Sequence, residues 1–304
     1  MQIDEIAFRI GPVAVHWYGI IIASAVLLGA VVGTLEARRR GEDPEQGWSM
    51  LLLVIVTAVI GARLYHVIHE WDFYSQNPAL IPQIWTGGIG IPGAVIGGAA
   101  GIWWYTRGAH LNTARWLDIF APALLLGQAV GRLGNYVNQE LYGPPVQLCG
   151  TGGYLPCLPF GIQIDAEHRA GTPWDALTFP PETTQFVPMF AYEAVLNLVG
   201  MAVLLIVGRA FARRLYDGDI ALLYIVWYGA VRSLLEGYRV NNWYIGPLPT
   251  AVWIGLAGVI LAGGFLVLRH VRGWGTPGAF LRERERRTDD DAAPQPSAAE
   301  PSPG

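Results

Sequence analysis

Lysine is missing from this 304-residue chain; its 20 basic residues are all arginine. Charge of either sign is scarce. Asp, Glu, Lys and Arg supply 14% of the residues, where a soluble domain carries about 25%. With 52% hydrophobic residues and a mean hydropathy of +0.34, that scarcity excludes an ordinary soluble globule and leaves a polytopic membrane protein. The net charge of −4 says little, because an acidic cluster near the C-terminus weighs heavily in it. Cysteine is limited to Cys149 and Cys157. Their glycine- and proline-flanked setting suits a structural disulfide, or two plain thiols, better than a nucleophile. Met1 to Pro12 holds no basic n-region and no small-residue cleavage site, so the first hydrophobic segment is expected to stay. There is no glycine-rich nucleotide loop, and no pair or triplet of histidines has metal-ligand spacing. Neither cofactor, metal nor nucleic acid is expected.

What is present is a series of long apolar stretches. About 20 residues of helix cross ~30 Å of hydrocarbon, and seven stretches qualify: roughly Pro12–Leu35, Trp48–Ile68, Gly88–Tyr105, Arg115–Leu133, Val187–Gly208, Asp219–Glu236 and Pro249–Leu268. The expected fold is an all-α, seven-helix membrane domain over residues 1–272. A Gly/Pro-rich insertion at about 136–186 lies between its fourth and fifth helices. From residue 273 the chain turns polar, with an Arg/Glu run and then Thr288-Asp289-Asp290-Asp291, and 273–304 is expected to be a disordered cytoplasmic tail.

Arginine placement orients the domain. Arg38, Arg39, Arg40, Arg107, Arg115, Arg209, Arg213 and Arg214, with the tail arginines 269, 272, 282, 284, 286 and 287, fall on one side; Arg9, Arg169 and Arg239 fall on the other. The N-terminus is therefore expected outside, the C-terminus in the cytoplasm and the insertion outside. His16, with Trp17 and Tyr18, fits an interfacial belt, as do tryptophans 85, 103, 104, 243 and 253.

Three arginines do not fit a boundary. Arg63, Arg132 and Arg232 lie inside apolar stretches, all toward the outer half. An arginine at the centre of a membrane helix costs roughly 2.5–3.5 kcal/mol on insertion scales, so such residues line a protein interior or a wet cavity and have a task there. Three on one side suggest a pocket for an anion, with a lipid headgroup the nearest candidate. Arg132 opens the densest polar run in membrane context, Gly131-Arg132-Leu133-Gly134-Asn135-Tyr136-Val137-Asn138-Gln139-Glu140-Leu141-Tyr142-Gly143. If helical, Arg132, Asn135 and Gln139 share one stripe. Arg232, Glu236 and Arg239 stand at i, i+4, i+7 on another. An internal Arg232–Glu236 ion pair is the plainer reading there, but Arg239 leaves that stripe with net positive charge. His66 and His69 follow Arg63 on its helix.

The 131–143 run resembles the signature Gly-Arg-x-Gly-Asn-(aromatic)-x-Asn-x-Glu-x-x-Gly of bacterial prolipoprotein diacylglyceryl transferases. His16-Trp17-Tyr18-Gly19, Gly87-Gly88, Asp118-Ile119-Phe120-Ala121-Pro122 and Arg232 with Glu236 are similar to that family as well, and the likeness runs from about Gly11 to Leu268. The resemblance implies a seven-span enzyme of the bacterial cytoplasmic membrane with its site toward the outside. Such an enzyme moves the diacylglyceryl group of phosphatidylglycerol onto the lipobox cysteine thiol of a prolipoprotein and releases glycerol 1-phosphate. It implies catalytic roles for Arg132, Arg232, Glu140 and Tyr18. It also implies headgroup binding by Arg132, Asn135, Gly143, Arg232, Glu236, Arg239 and Arg63. Two departures stand out. The family's usual histidine before the third span is Pro92 here, and its usual His-Pro-Ser-Gln before the fifth span is Val187-Pro188-Met189-Phe190.

The loss of that histidine is chemically tolerable. A cysteine has a pKa near 8.5, lowered by cationic surroundings, and the harder task is stabilising charge on the departing phosphate. Planar, permanently charged guanidinium groups suit that task. Glu140, His69, Tyr18 and water stay open as proton acceptors. The competing readings are an anionic-lipid transporter or flippase and a non-catalytic lipid-binding relative. Inverted repeats and charges spread through both membrane halves would favour the transporter, and the sequence has neither. Retention of Arg132, Asn135, Glu140, Arg232 and Glu236 argues against a dead relative.

Overall fold

Each of the seven apolar stretches forms a helix in the computed structural model, which describes residues 6–11, 13–84, 87–150, 160–239 and 244–292. In chain order the helices are α1 (Trp17–Arg40), α2 (Pro44–His69), a short α3 (Trp71–Gln76), α4 (Ile91–Gly108), α5 (Thr113–Val137), α6 (Met189–Ala210), α7 (Asp219–Leu235), α8 (Thr250–Arg272) and α9 (Ala279–Ala292). Two antiparallel hairpins, β1 (Ile6–Ile10) with β2 (Val13–His16) and β3 (Tyr244–Ile245) with β4 (Leu248–Pro249), lead into α1 and α8. Helices α1, α2, α5, α6, α7 and α8 are long and apolar enough to cross a bilayer. Their outer faces carry large exposed side chains such as Leu27, Leu52, Ile254 and Leu261, which in water would be a liability and in hydrocarbon is the matching surface.

Local signals set the helix ends. Pro44 sits in the first turn of α2 behind Asp43, whose side chain caps Glu45 N at 3.0 Å; Asn112 caps α5 through Arg115 N at 3.2 Å. Helix α1 starts later and ends later than the sequence suggests. Val13–His16 is taken into the hairpin, while Arg38, Arg39 and Arg40 form its last turn, where cations favour the helix dipole, before Gly41 turns left-handed at φ +76°.

Helix α4 has 18 residues and leans on α2. A Cβ on Gly93 would come 2.1 Å from Gly61 O, and one on Gly97 would come 2.2 Å from Thr57 O. Two backbones meet there as small-residue stripes allow in a membrane interior. The remaining main contacts are α1 on α5, α5 on α6 and α7 on α8.

One element differs from the sequence reading. The segment after residue 273 is not without structure: α9 forms, and its Phe280 is buried under the guanidiniums of Arg39 and Arg40, 5.6 and 5.2 Å from its ring. One aromatic anchor and an ion pair from Glu283 to Arg115 at 2.7 Å hold the start of this helix against the bundle. Residues 293–304 lie outside the described residues. The long segment between α5 and α6 has its own small core of Tyr142, Ile164, Trp174 and Phe186. Arg169 is buried and donates to the carbonyls of Ile164 and Phe179. Cys149 in this segment is disulfide-bonded; Cys157, the chain's other cysteine, lies outside the described residues.

Candidate active site

Antiparallel neighbours bring the end of α5, the start of α6 and the end of α7 to one level. Arg132 projects from the last turns of α5, Glu193 from the second turn of α6, and Arg232 from the last turn of α7. Arg132 Nη2 pairs with Glu193 Oε1, and Arg232 Nη1 lies 2.8 Å from Glu236 Oε2. Arg239, beyond the single turn Glu236–Tyr238, lies between the two pairs. Its Nη2 is 3.7 Å from Glu193 Oε2 and its Nε 3.8 Å from Glu236 Oε2. Burial, followed by the like charge of Arg232, pushes the Arg239 guanidinium below its ordinary pKa, while Glu193 and Glu236 pull it back.

Three guanidiniums thus stand against two buried carboxylates. The side chains of Glu193 and Glu236 are 7% and 4% exposed, whereas Arg132, Arg232 and Arg239 keep 15%, 21% and 23%. The carboxylates therefore sit behind the arginines and orient them, leaving guanidinium edges on the open side. That is a geometry for gripping a phosphate rather than for cancelling charge.

A third carboxylate joins from the 131–143 run. Arg132 Nη1 donates to Asn135 Oδ1 at 3.1 Å, and Asn135 Nδ2 donates to Glu140 Oε1 at 2.7 Å. Glu140 is exposed and is flanked by two non-glycine residues in left-handed backbone, Gln139 (φ +48°) and Leu141 (φ +58°). Such strain persists where the surroundings over-determine it and clusters at functional sites. The helical stripe expected for Arg132, Asn135 and Gln139 breaks here, because α5 ends at Val137. Gln139 turns instead to the long segment, donating to Asp165 Oδ2 at 2.6 Å and accepting from Asp165 N at 2.7 Å.

Tyr18 packs beside this arm. A Cβ on Gly134 would lie 2.6 Å from its ring, so glycine is what lets the tyrosine lie against α5 next to Asn135. Gly143 has a scaffolding position: its N–H donates to Val187 O at 2.8 Å, and an added Cβ would lie 3.1 to 3.3 Å from Val187, Met189 and Tyr238.

Arg63 is not brought to the cluster. Its Nε donates to Ile81 O at 2.7 Å, Nη1 to Gly87 O and Gly88 O at 2.7 and 2.9 Å, and Nη2 to Leu80 O at 2.6 Å, over the ring of Tyr74. Four bonds to carbonyls of the segment before α4 engage this buried guanidinium, so it ties that segment to α2. His69 stacks on Tyr65 and lies 3.8 Å from Glu70, on a helix that packs on α1 and α4 rather than on the helices that carry the cluster. Pro92 occupies the first turn of α4, a place suited to a residue without an N–H.

Two members of the site escaped the sequence reading. Glu193 is the hub, joining Arg132 to Arg239; the signal was an acid within an otherwise uncharged apolar span, which by the reasoning applied to the arginines also needs a task. Tyr228, one turn before Arg232, lies within electrostatic reach of Glu193, Arg232, Arg132 and Arg239, and nothing in its local sequence distinguishes it from a lipid-facing tyrosine. Among the described residues, one set has ligand atoms close enough for a metal, Asp165, Glu167 and His168. Asp165 is already engaged by Gln139 there, and the set reads as loop structure.

Six helices long and apolar enough to cross a bilayer, with an arginine–glutamate cluster near one end of the bundle, are those of a multi-pass membrane protein. The prolipoprotein diacylglyceryl transferase family model matches residues 5–268. Relatives named phosphatidylglycerol–prolipoprotein diacylglyceryl transferase include one from Chloroflexus aggregans, 37% identical over 93% of this chain and 92% of its own. Another, from Lysinibacillus sphaericus, is 36% identical over 90% and 94%. The chain belongs to the prolipoprotein diacylglyceryl transferase family.

Proposed function

We propose that this protein transfers the diacylglyceryl group of phosphatidylglycerol to the lipobox cysteine of a prolipoprotein. The observation that carries the reading is the three-arginine cluster of Arg132, Arg232 and Arg239, oriented from behind by Glu193 and Glu236. The phosphodiester of the lipid docks against the open guanidinium edges. The cysteine sulfur attacks the glycerol carbon next to the phosphate; the C–S bond forms as the C–O bond breaks, and the electron pair leaves on the oxygen of glycerol 1-phosphate. Charge on that phosphate rises through the step. Fixed cations in a water-poor site stabilise such charge without reorganising, and arginine neighbours favour the thiolate. Glu140, exposed and tied to Arg132 through Asn135, is the carboxylate placed to receive the thiol proton, and Tyr18 walls the same side.

In this reading α4 crosses the bilayer with the other six helices. The N-terminus and the segment between α5 and α6 lie outside the bacterial cytoplasmic membrane, and the ends rich in arginine lie inside. Arg63 supports the segment before α4, and Gly143 supports the junction of the α5–α6 segment with α6. The test incubates membranes holding the protein with phosphatidylglycerol and a lipobox peptide. The expected result is a peptide mass gain of one diacylglyceryl group, abolished by Cys→Ser in the peptide. Unmodified peptide beside a membrane that has kept its phosphatidylglycerol would refute the reading.

A further inference from the structure

One helical turn inward from the arginine layer lies a second polar layer that the mechanism above leaves idle. Asn197 follows Glu193 by four residues on α6, Gln128 precedes Arg132 by four on α5, and Tyr228 precedes Arg232 by four on α7. Each lies on the same helix face as the charged residue above it. Asn197 is the one polar side chain of α6 between Glu193 and Arg209. It is fully buried, and neither its Nδ2 nor its Oδ1 has a hydrogen-bond partner. Gln128 donates Nε2 to the Tyr224 hydroxyl at 2.9 Å, yet its Oε1 is buried without a partner. Tyr224 stacks on Tyr228, ring centroids 6.0 Å apart.

Buried polar groups almost always have a hydrogen-bond partner, so a buried amide with none calls for an explanation, and a bound water, ion or ligand group is one. Leucine would fill the position without a polar penalty. A helical turn is about 5.4 Å, and in a diacyl phospholipid the first ester carbonyl lies a few covalent bonds below the phosphate, at comparable depth. At that depth the lipid offers acceptors and no donors. An amide N–H is the complement.

We propose that Asn197, in the same layer as Gln128, forms a subsite for the ester carbonyl of the donor lipid. The inference rests on the transferase reading above and adds a specificity determinant to it. With the phosphate held by the arginines and the carbonyl by Asn197, the glycerol carbon between them is fixed along the line of attack. Water entering with the headgroup donates to Asn197 Oδ1 and Gln128 Oε1. An ether-linked lipid has the same phosphate and the same reacting carbon but lacks the carbonyl, so it leaves the amide unpartnered. Sites built to hydrogen-bond a substrate group reject analogues without it.

The experiment uses the full-length protein in lipid nanodiscs and measures transfer from diester and diether phosphatidylglycerol of matched chain length. The wild type is expected to favour the diester by about tenfold or more in kcat/KM. Asn197→Leu is expected to bring the diester rate down toward the diether rate and collapse the ratio; any intrinsic reactivity difference between the lipids remains in the variant. Equal rates on both lipids in the wild type, or an unchanged ratio in Asn197→Leu, would overturn the subsite while leaving the transferase reading standing. Absence of transfer from either lipid would remove that reading and this one with it. Equal wild-type rates would overturn the subsite without any variant, and where Asn197→Leu fails to accumulate Asn197→Ala takes its place with the same expected collapse of the ratio.

Discussion

The two ends of the helical bundle hold arginine in opposite ways. At the end where the α1–α2 and α6–α7 connections meet α9, Arg115 is 4% exposed and bonded to Glu42, Asp217 and Glu283 at 2.7, 2.9 and 2.7 Å. Nearby, Arg40 is bonded to Asp118 at 3.1 Å, and Asp118 also caps α7 through Gly218 N and Ala221 N, each at 2.9 Å. Three carboxylates surround the Arg115 guanidinium, and Arg40 is buried between Asp118 and the Phe280 ring. At the other end, Arg132, Arg232 and Arg239 share Glu193 and Glu236, which lie behind them. Arg115 is enclosed by carboxylates from three segments, whereas Arg132, Arg232 and Arg239 are backed by two buried carboxylates and stay partly exposed.

Removing a cation should therefore cost stability at the first end and activity at the second. Arg115→Ala strands the buried carboxylates of Glu42 and Asp217. Breaking a buried pair from one side costs about 3–5 kcal/mol, so thermal unfolding in detergent should show a large drop in Tm while the surviving folded protein turns over at the wild-type rate. At the site, Arg232→Ala and Arg132→Ala should lower transfer per folded molecule by about 10²–10³-fold, or ~2.7–4 kcal/mol, the range for losing a preorganised transition-state donor; each also leaves a buried carboxylate, Glu236 or Glu193, with Arg239 as its remaining cation, so Tm falls as well. Lysine at either position should recover only part of the loss, because it lacks the planar fork. A stability loss without an activity loss at Arg232 would erase the distinction between the two ends.

Glu193→Gln probes the site end from behind. The variant keeps the volume and removes the charge that orients Arg132 and Arg239. Hydrogen bonds to charged groups contribute about 1.5–3 kcal/mol, so kcat should fall by roughly tenfold or more. KM for the lipid should not rise, since the cluster becomes more cationic. A raised KM with unchanged kcat would mean that Glu193 serves affinity rather than orientation.

The difference between the ends was partly legible beforehand. Apolar length located six helices long and apolar enough to cross a bilayer, and α4 as a further helix, because a membrane helix must carry its hydrophobicity around its whole circumference. The cost of burying Arg132 and Arg232 pointed to the site. Arg63 satisfied the same criterion but lies apart from the cluster, bonded to carbonyls of the segment before α4; which neighbours each arginine meets depends on loop placement, and no local pattern encodes that. Glu193 was readable by the same cost argument. Asn197 and Tyr228 were not, since a lone amide or phenol in an apolar helix acquires meaning only when a neighbouring helix brings charge to its level. The polarity of the C-terminal segment hid α9, whose attachment relies on Phe280 and Glu283 against arginines distant in sequence.

That attachment supplies the mildest test. Glu283 is 40% exposed and is one of three carboxylates on Arg115, and Arg115 keeps Glu42 and Asp217 without it. A partly exposed pair contributes about 0–1 kcal/mol. Glu283→Ala should thus shift Tm by no more than a few degrees and leave transfer unchanged. Phe280→Ala removes the aromatic ring between α9 and the guanidiniums of Arg39 and Arg40, so it should release the helix and raise hydrogen exchange across residues 279–286. Transfer in that variant should stay at the wild-type level. If it fell instead, the arginines of this end would be coupled to the site across the length of the bundle, and their carboxylate partners would have to be counted as part of the catalytic machinery.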